Sequence, residues 1–155
     1  MRKVDAPAVL PLDTDIELPT TGDTEALGEQ IGAVLGAGDL VVLSGPLGAG
    51  KTVLVRGIAR GLGVRGPVTS PTFVIAREHA PAAAGGVPLV HVDAYRLGGA
   101  AELDDLDLDT DLTQAAMVVE WGEGVAERLA TGPHLLVRLD RRPDDSRVAT
   151  MHRVG

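Results

Sequence analysis

A chain of 155 residues, 45% of them hydrophobic, suits one domain around a single core, and the absence of cysteine excludes disulfides and zinc sites built on thiolates. Its formal charge of −8, from 14 basic against 22 acidic residues, repels a nucleic-acid backbone, because affinity for DNA or RNA comes largely from neutralised phosphates. No apolar run approaches the ~18 residues that cross a membrane, and no charged segment followed by an apolar one opens the chain, so a reducing, cytoplasmic setting is expected.

Residues 1–15 hold proline and aspartate with no steady period and are expected to form a flexible tail, leaving 16–155 as a single domain. Ile16-Glu17-Leu18 is a candidate short strand. Thr21-Gly22-Asp23-Thr24 offers a helix start with Asp23 or Thr24 as N-cap. Leu27, Ile31, Val34 and Leu35 follow at helical spacing until Gly36 and Gly38.

Leu40-Val41-Val42-Leu43 is then a continuous apolar run, as in a strand buried on both faces. It leads into Gly45-Pro46-Leu47-Gly48-Ala49-Gly50-Lys51-Thr52, which fits the P-loop pattern G-x-x-x-x-G-K-[ST]. Residues 52–62 read as a helix with Val53, Leu54, Ile58 and Leu62 available for its inward face. The chemistry needs this order of strand, glycine loop and helix. The glycines let successive backbone N–H groups turn toward one phosphate chain, and the helix N-terminus adds partial positive charge. Lys51 can then reach the β- and γ-phosphates while the Thr52 hydroxyl ligates magnesium. The chain has only two lysines, Lys3 and Lys51, so the lysine of the motif is not a product of composition.

Beyond the loop, Val74-Ile75-Ala76-Arg77 and Val87-Pro88-Leu89-Val90-His91-Val92 read as strands, and the short 80–86 connection suits an antiparallel hairpin. The acidic stretch 100–112 alternates Asp with Leu. It is not a calcium loop, since counting from Asp105 puts Thr110 at the invariant glycine position and Ala116 at that of the bidentate glutamate. Ala116-Met117-Val118-Val119 is a further apolar strand, 122–129 is expected to be helical, and Leu135-Leu136-Val137-Arg138-Leu139 and 147–154 are expected as closing strands about the Pro143-Asp144-Asp145-Ser146 turn. The expected fold is α/β: a P-loop NTPase fold whose central sheet is parallel with antiparallel additions, helices lying on both faces.

In such sheets the ligand lies beyond the carboxyl ends of the parallel strands. Two apolar strands end there in an acid, one in Asp93 and the other in Glu120, which makes both candidates for a magnesium contact or for holding an attacking water. The single Phe, Tyr and Trp of the chain, Phe73, Tyr95 and Trp121, all fall in these candidate segments. His91 alternates with Asp93 and could orient another group or be a packed core histidine; His79, His134 and His152 have no ligand spacing and are expected at the surface. The chain contains no asparagine, so the Asn-Lys-x-Asp element that reads guanine cannot exist, and adenine nucleotide is the better fit. A P-loop kinase for a metabolite or protein, and a binding module switched by nucleotide, remain open on the residues alone.

Four segments occur in order: Gly-Pro-Leu-Gly-Ala-Gly-Lys-Thr (45–52), Val-Thr-Ser-Pro-Thr-Phe (68–73), His-Val-Asp-Ala-Tyr-Arg-Leu (91–97) and Val-Glu-Trp-Gly-Glu (119–123). Together they make a chain that resembles the bacterial TsaE (YjeE) family, the ATPase of tRNA threonylcarbamoyladenosine biosynthesis, over roughly residues 23–139. The resemblance implies a slow ATPase, activated by its partners, that uses ATP and Mg2+ and acts with a TsaB–TsaD assembly, which modifies the adenosine beside the anticodon. It would meet tRNA only through those partners. By the same likeness, Gly45, Leu47, Gly48, Ala49, Gly50, Lys51, Thr52 and Val53 would cradle the phosphates. Thr52 and Glu120 would contact magnesium, and Asp93 would be the catalytic or metal-linked acid. Thr72 would sense the γ-phosphate within a switch segment, and Tyr95, Arg96 and Trp121 would line the site. Pro46 departs from the family, where an acidic or polar residue is commoner; its side chain is expected to face away from the phosphates.

Overall fold

The computed structural model describes residues 10–45, 50–64, 76–82, 86–93, 115–120, 134–144 and 146–154. In chain order they form β1 (Asp15–Leu18), α1 (Thr21–Val34), β2 (Leu40–Ser44), α2 (Lys51–Leu62), β3 (Ala76–His79), β4 (Leu89–Asp93), β5 (Ala116–Glu120), β6 (His134–Arg141) and β7 (Arg147–Val154). These strands join in one sheet of order β1-β7-β6-β2-β5-β4-β3. Its centre, β6-β2-β5-β4, is parallel, while β3 pairs antiparallel with β4, β7 with β6, and β1 with β7. The parallel centre, the antiparallel additions and the hairpin between β3 and β4 follow the reading of the sequence.

β2, β4 and β5 are mostly apolar because both of their faces are covered. On one face Val41 and Leu43 of β2, Val118 of β5, Leu89 of β4, and Val137 and Leu139 of β6 form a single core with Leu27 and Ile31 of α1 and Leu54, Val55, Ile58 and Leu62 of α2. Their alternates Val42, Met117, Val119, Val90 and Val92 are buried on the opposite face. The helix expected over 122–129 lies outside the described residues. Val53, expected to face inward, is only half-buried. The inward surface of α2 is rotated toward Val55 and Ala59, because α2 packs on α1 as well as on the sheet.

α1 begins earlier than expected. Its N-cap is Thr20, with Asp23 at the third helical position. The Thr20 hydroxyl accepts from the Asp23 N–H at 3.2 Å, and the Asp23 carboxylate accepts from the Thr20 N–H at 3.0 Å, a reciprocal capping box in which aspartate takes the usual place of glutamate. Asp23 is thus half of a cap rather than the cap itself.

The two helices run parallel and cross unusually close. Gly28 and Gly32 of α1 face Gly57 and Gly61 of α2, and a Cβ at Gly28 would come within 2.8 Å of Gly57 Cα, overlapping backbone atoms. Backbone therefore packs on backbone along two four-residue glycine steps, a spacing that keeps each pair on one helical face. Arg60 closes the outer side of the crossing on Glu25 and Glu29, an exposed set that contributes little by itself.

Within the stretch expected as a tail, residues 10–14 lie against β7. Leu10 and Leu12 pack on the core, the Asp13 N–H donates to Met151 O at 2.8 Å, and the Asp13 carboxylate meets His152 Nδ1 at 2.7 Å. Among the described residues no helix is long and apolar enough to cross a membrane.

Candidate nucleotide-binding site

β2 leaves the carboxyl end of the sheet at Ser44, and the glycine loop begins there. Gly45 takes φ +144°, and a Cβ on it would run into the Leu139 carbonyl of β6, so the loop can leave the sheet at this point only through glycine. Gly50 closes the loop at φ +100° and is the N-cap of α2, with no side-chain capping bond. α2 then starts at Lys51, and the first N–H groups of a helix have no acceptor within it, so this end carries partial positive charge toward the loop. The parallel glycine crossing brings the start of α1 to the same end: Thr24 Cγ2 lies 3.7 Å from the position of a Cβ on Gly50.

Lys51 is 6% exposed, and its Nζ donates to the Gly45 carbonyl at 2.5 Å. The ammonium is thus held at the loop's own first residue. Thr52, next along the helix, is half-buried.

Strand register brings the two candidate acids to the same end. Leu43 of β2 pairs with Glu120 of β5, and Glu120 pairs with Asp93 of β4. Glu120 is 7% exposed, and its Oε2 lies 2.5 Å from Nε2 of the wholly enclosed His91. Since a carboxylate only accepts, His91 Nε2–H is the donor. That contact leaves the second oxygen, Oε1, outside it. Among the described residues no three His, Cys, Asp or Glu side chains converge as a metal cage. A magnesium–nucleotide site does not require one, because Mg2+ is usually held by one or two protein oxygens together with substrate phosphates.

Of the predicted site residues, Gly45, Gly50, Lys51, Thr52, Val53, Asp93 and Glu120 are therefore grouped at one end of the sheet, Asp93 by its strand position. Leu47, Gly48, Ala49, Thr72, Tyr95, Arg96 and Trp121 lie outside the described residues. The contact missed in the sequence is His91 with Glu120. Its one sequence signal was the alternation of His91 with Asp93, which indicates a face but no partner on a strand 29 residues away. His134, expected at the surface, is buried instead, and among the described residues neither ring nitrogen has a hydrogen-bond partner.

A family model described as "Threonylcarbamoyl adenosine biosynthesis protein TsaE" matches residues 18–149. The chain belongs to the TsaE family. Proteins named tRNA threonylcarbamoyladenosine biosynthesis protein TsaE are 58% identical to it in Mycobacterium bovis, over 86% of this chain and 83% of that one, and 58% identical in Streptomyces coelicolor, over 81% and 84%. The TsaE protein of Bacillus subtilis is 38% identical over 86% of this chain and 81% of its own. Among solved structures, Bacillus subtilis YdiB superposes with a TM-score of 0.69 at 31% identity, over 92% of this chain and 86% of that one. The TsaE match takes in every described element from α1 to β6 and the start of β7, a longer span than the four motifs cover.

Proposed function

We propose that this TsaE-family chain hydrolyses ATP, and that hydrolysis resets a TsaB–TsaD assembly between rounds of threonylcarbamoyl transfer to the tRNA adenosine beside the anticodon. The observation that supports hydrolysis most directly is the grouping at one end of the sheet of a buried Lys51, a glycine loop and the strand-terminal acids Glu120 and Asp93. The named function of the relatives supports the tRNA-modification setting.

In this reading the phosphates of ATP enter the loop between Gly45 and Gly50, over the N-terminus of α2. Lys51 exchanges the neutral Gly45 carbonyl for β- and γ-phosphate oxygens, because a charge-assisted hydrogen bond is roughly twice as strong as one to a neutral acceptor. The Thr52 hydroxyl and Glu120 Oε1 are the protein oxygens that would hold Mg2+. When bound, that ion would supply positive charge to offset the negative charge of the phosphates. Asp93, next to Glu120 in the register, is the acid that would orient the attacking water or a metal-bound water. Thr72, Tyr95, Arg96 and Trp121 would complete the site by family likeness. Net charge fits a protein that works beside tRNA in the cytoplasm without gripping it.

The test is release of inorganic phosphate from ATP by the chain alone, with a TsaB–TsaD pair, and with the pair plus tRNA. A P-loop site that waits for a stimulating group can run about 10³–10⁵-fold below its stimulated rate, so a slow basal rate that rises steeply with the pair is expected. Recovery of labelled γ-phosphate on an acceptor would instead identify a kinase. Tight ATP binding with no hydrolysis in the full assembly would identify a nucleotide-switched binding module.

A further inference from the structure

The contact between His91 and Glu120 has no part in the mechanism above, and it is expensive to bury. His91 is the central residue of β4, between Val90 and Val92, and is 0% exposed. An aliphatic side chain would fill such a position without polar cost, whereas an imidazole must be desolvated, and among the described residues its Nδ1 has no hydrogen-bond partner. Among the described residues, the polar return on that burial is the 2.5 Å bond from Nε2 to Glu120 Oε2. The register explains the reach: His91 pairs with Val118, two residues before Glu120, so the ring and the carboxylate stand on one face of adjacent parallel strands.

Glutamate has three side-chain torsions, and at a strand end its carboxylate would otherwise sample several orientations. The bond to His91 engages one oxygen and fixes the plane of the group, directing Oε1 away from the ring. We infer that His91 is a positioning residue for Glu120, holding the carboxylate so that Oε1 meets the metal of a metal–nucleotide complex. The inference rests on the reading of Glu120 as a metal contact. It adds that the orientation is imposed from beneath by a histidine that touches neither nucleotide nor metal. Groups that orient metal ligands in this way typically change metal affinity by about 10–100-fold when removed.

The experiment measures Mn2+ binding to the full chain saturated with ADP, by electron paramagnetic resonance, beside ADP affinity in EDTA and the thermal midpoint. H91L should weaken Mn2+ binding by about 10–100-fold while leaving metal-free ADP affinity unchanged. H91Q, whose amide nitrogen can take the place of Nε2, should restore it. A purely structural histidine would lower the thermal midpoint but leave Mn2+ affinity of the folded protein at the parent value, and that result overturns the inference. E120Q separates the two levels. Loss of Mn2+ in E120Q but not in H91L keeps Glu120 as the metal contact and removes His91. Parent-like binding in E120Q removes the Glu120 reading and the inference with it. If H91L does not fold, H91N replaces it: its shorter side chain should fail to reach Glu120, and equal Mn2+ affinity in H91N and H91Q overturns the proposal.

Discussion

Lys51 carries a full charge into a buried position, where its Nζ donates to the neutral Gly45 carbonyl. In the proposed reading, phosphate oxygens take the place of that carbonyl. K51A should lower the rate of phosphate release by about 10²–10³-fold, the scale seen when one transition-state charge stabiliser is lost, with a thermal midpoint close to that of the parent. An unchanged rate would reject the site. A second residue reports on pH. Asp144 Oδ1 accepts from Ser146 Oγ at 2.6 Å and from the Ser146 N–H at 3.0 Å, and these bonds, helped by Arg142, hold its carboxyl below the usual carboxylate range. A lowered folded pKa stabilises the folded state above the unfolded value of about 3.9, and the contribution disappears as pH falls through the folded value. The difference in urea midpoint between parent and D144A should therefore be present at neutral pH and shrink below pH of about 4.

At the scale of elements, the α1–α2 crossing sets where Lys51 sits, because α2 begins with that residue. An alanine in a helix interior normally gains about 1 kcal/mol over glycine. At Gly28 or Gly57 the added methyl would overlap backbone of the facing helix, so G28A and G57A should instead destabilise by roughly 1–3 kcal/mol in urea unfolding, overpacking outweighing propensity. Gly22, on the same helix, is the control. A Cβ there meets only Thr20 Oγ1 at 3.5 Å, an ordinary contact, so G22A should be neutral or stabilising. T20A removes the capping box and should cost about 1 kcal/mol. Helix periodicity is legible in Leu27, Ile31, Leu54, Ile58 and Leu62, yet the sequence reading assigns no role to Gly28, Gly32 or Gly57. A glycine's close-packing role depends on what stands opposite, and no single segment contains that information. The N-cap was placed too late for a related reason. Thr20 follows Pro19 and precedes Thr21, Gly22, Asp23 and Thr24, several of which can cap, and only the extended backbone at Thr20 decides among them.

At the scale of the whole molecule, a formal charge of −8 opposes close approach of a phosphate backbone. Isolated protein should bind tRNA more weakly than the ~10⁻⁴–10⁻⁶ M typical of non-specific basic binders at physiological salt, as measured by fluorescence anisotropy. If the reading is right, tRNA should enter only with the TsaB–TsaD pair present. Nucleotide should also stabilise the fold by mass action, by about 2.7 kcal/mol at a hundredfold excess over its dissociation constant, and the shift should vanish in K51A if Lys51 holds the phosphates.

The amino-acid sequence alone determined the glycine loop and its lysine, the apolar strands on either side, the hairpin, and a likeness that the TsaE match bears out. All of these are local: a run of aliphatic residues, a turn or a loop motif acts through neighbours a few residues away. The tertiary structure decided which strand ends share an end of the sheet, that two helices meet glycine to glycine, and that His91 reaches Glu120. These depend on register and on crossing distance. A one-residue slip of β4 against β5 would put the imidazole and the carboxylate on opposite faces. That alignment is set by packing summed over the whole sheet, so no short stretch of sequence records it.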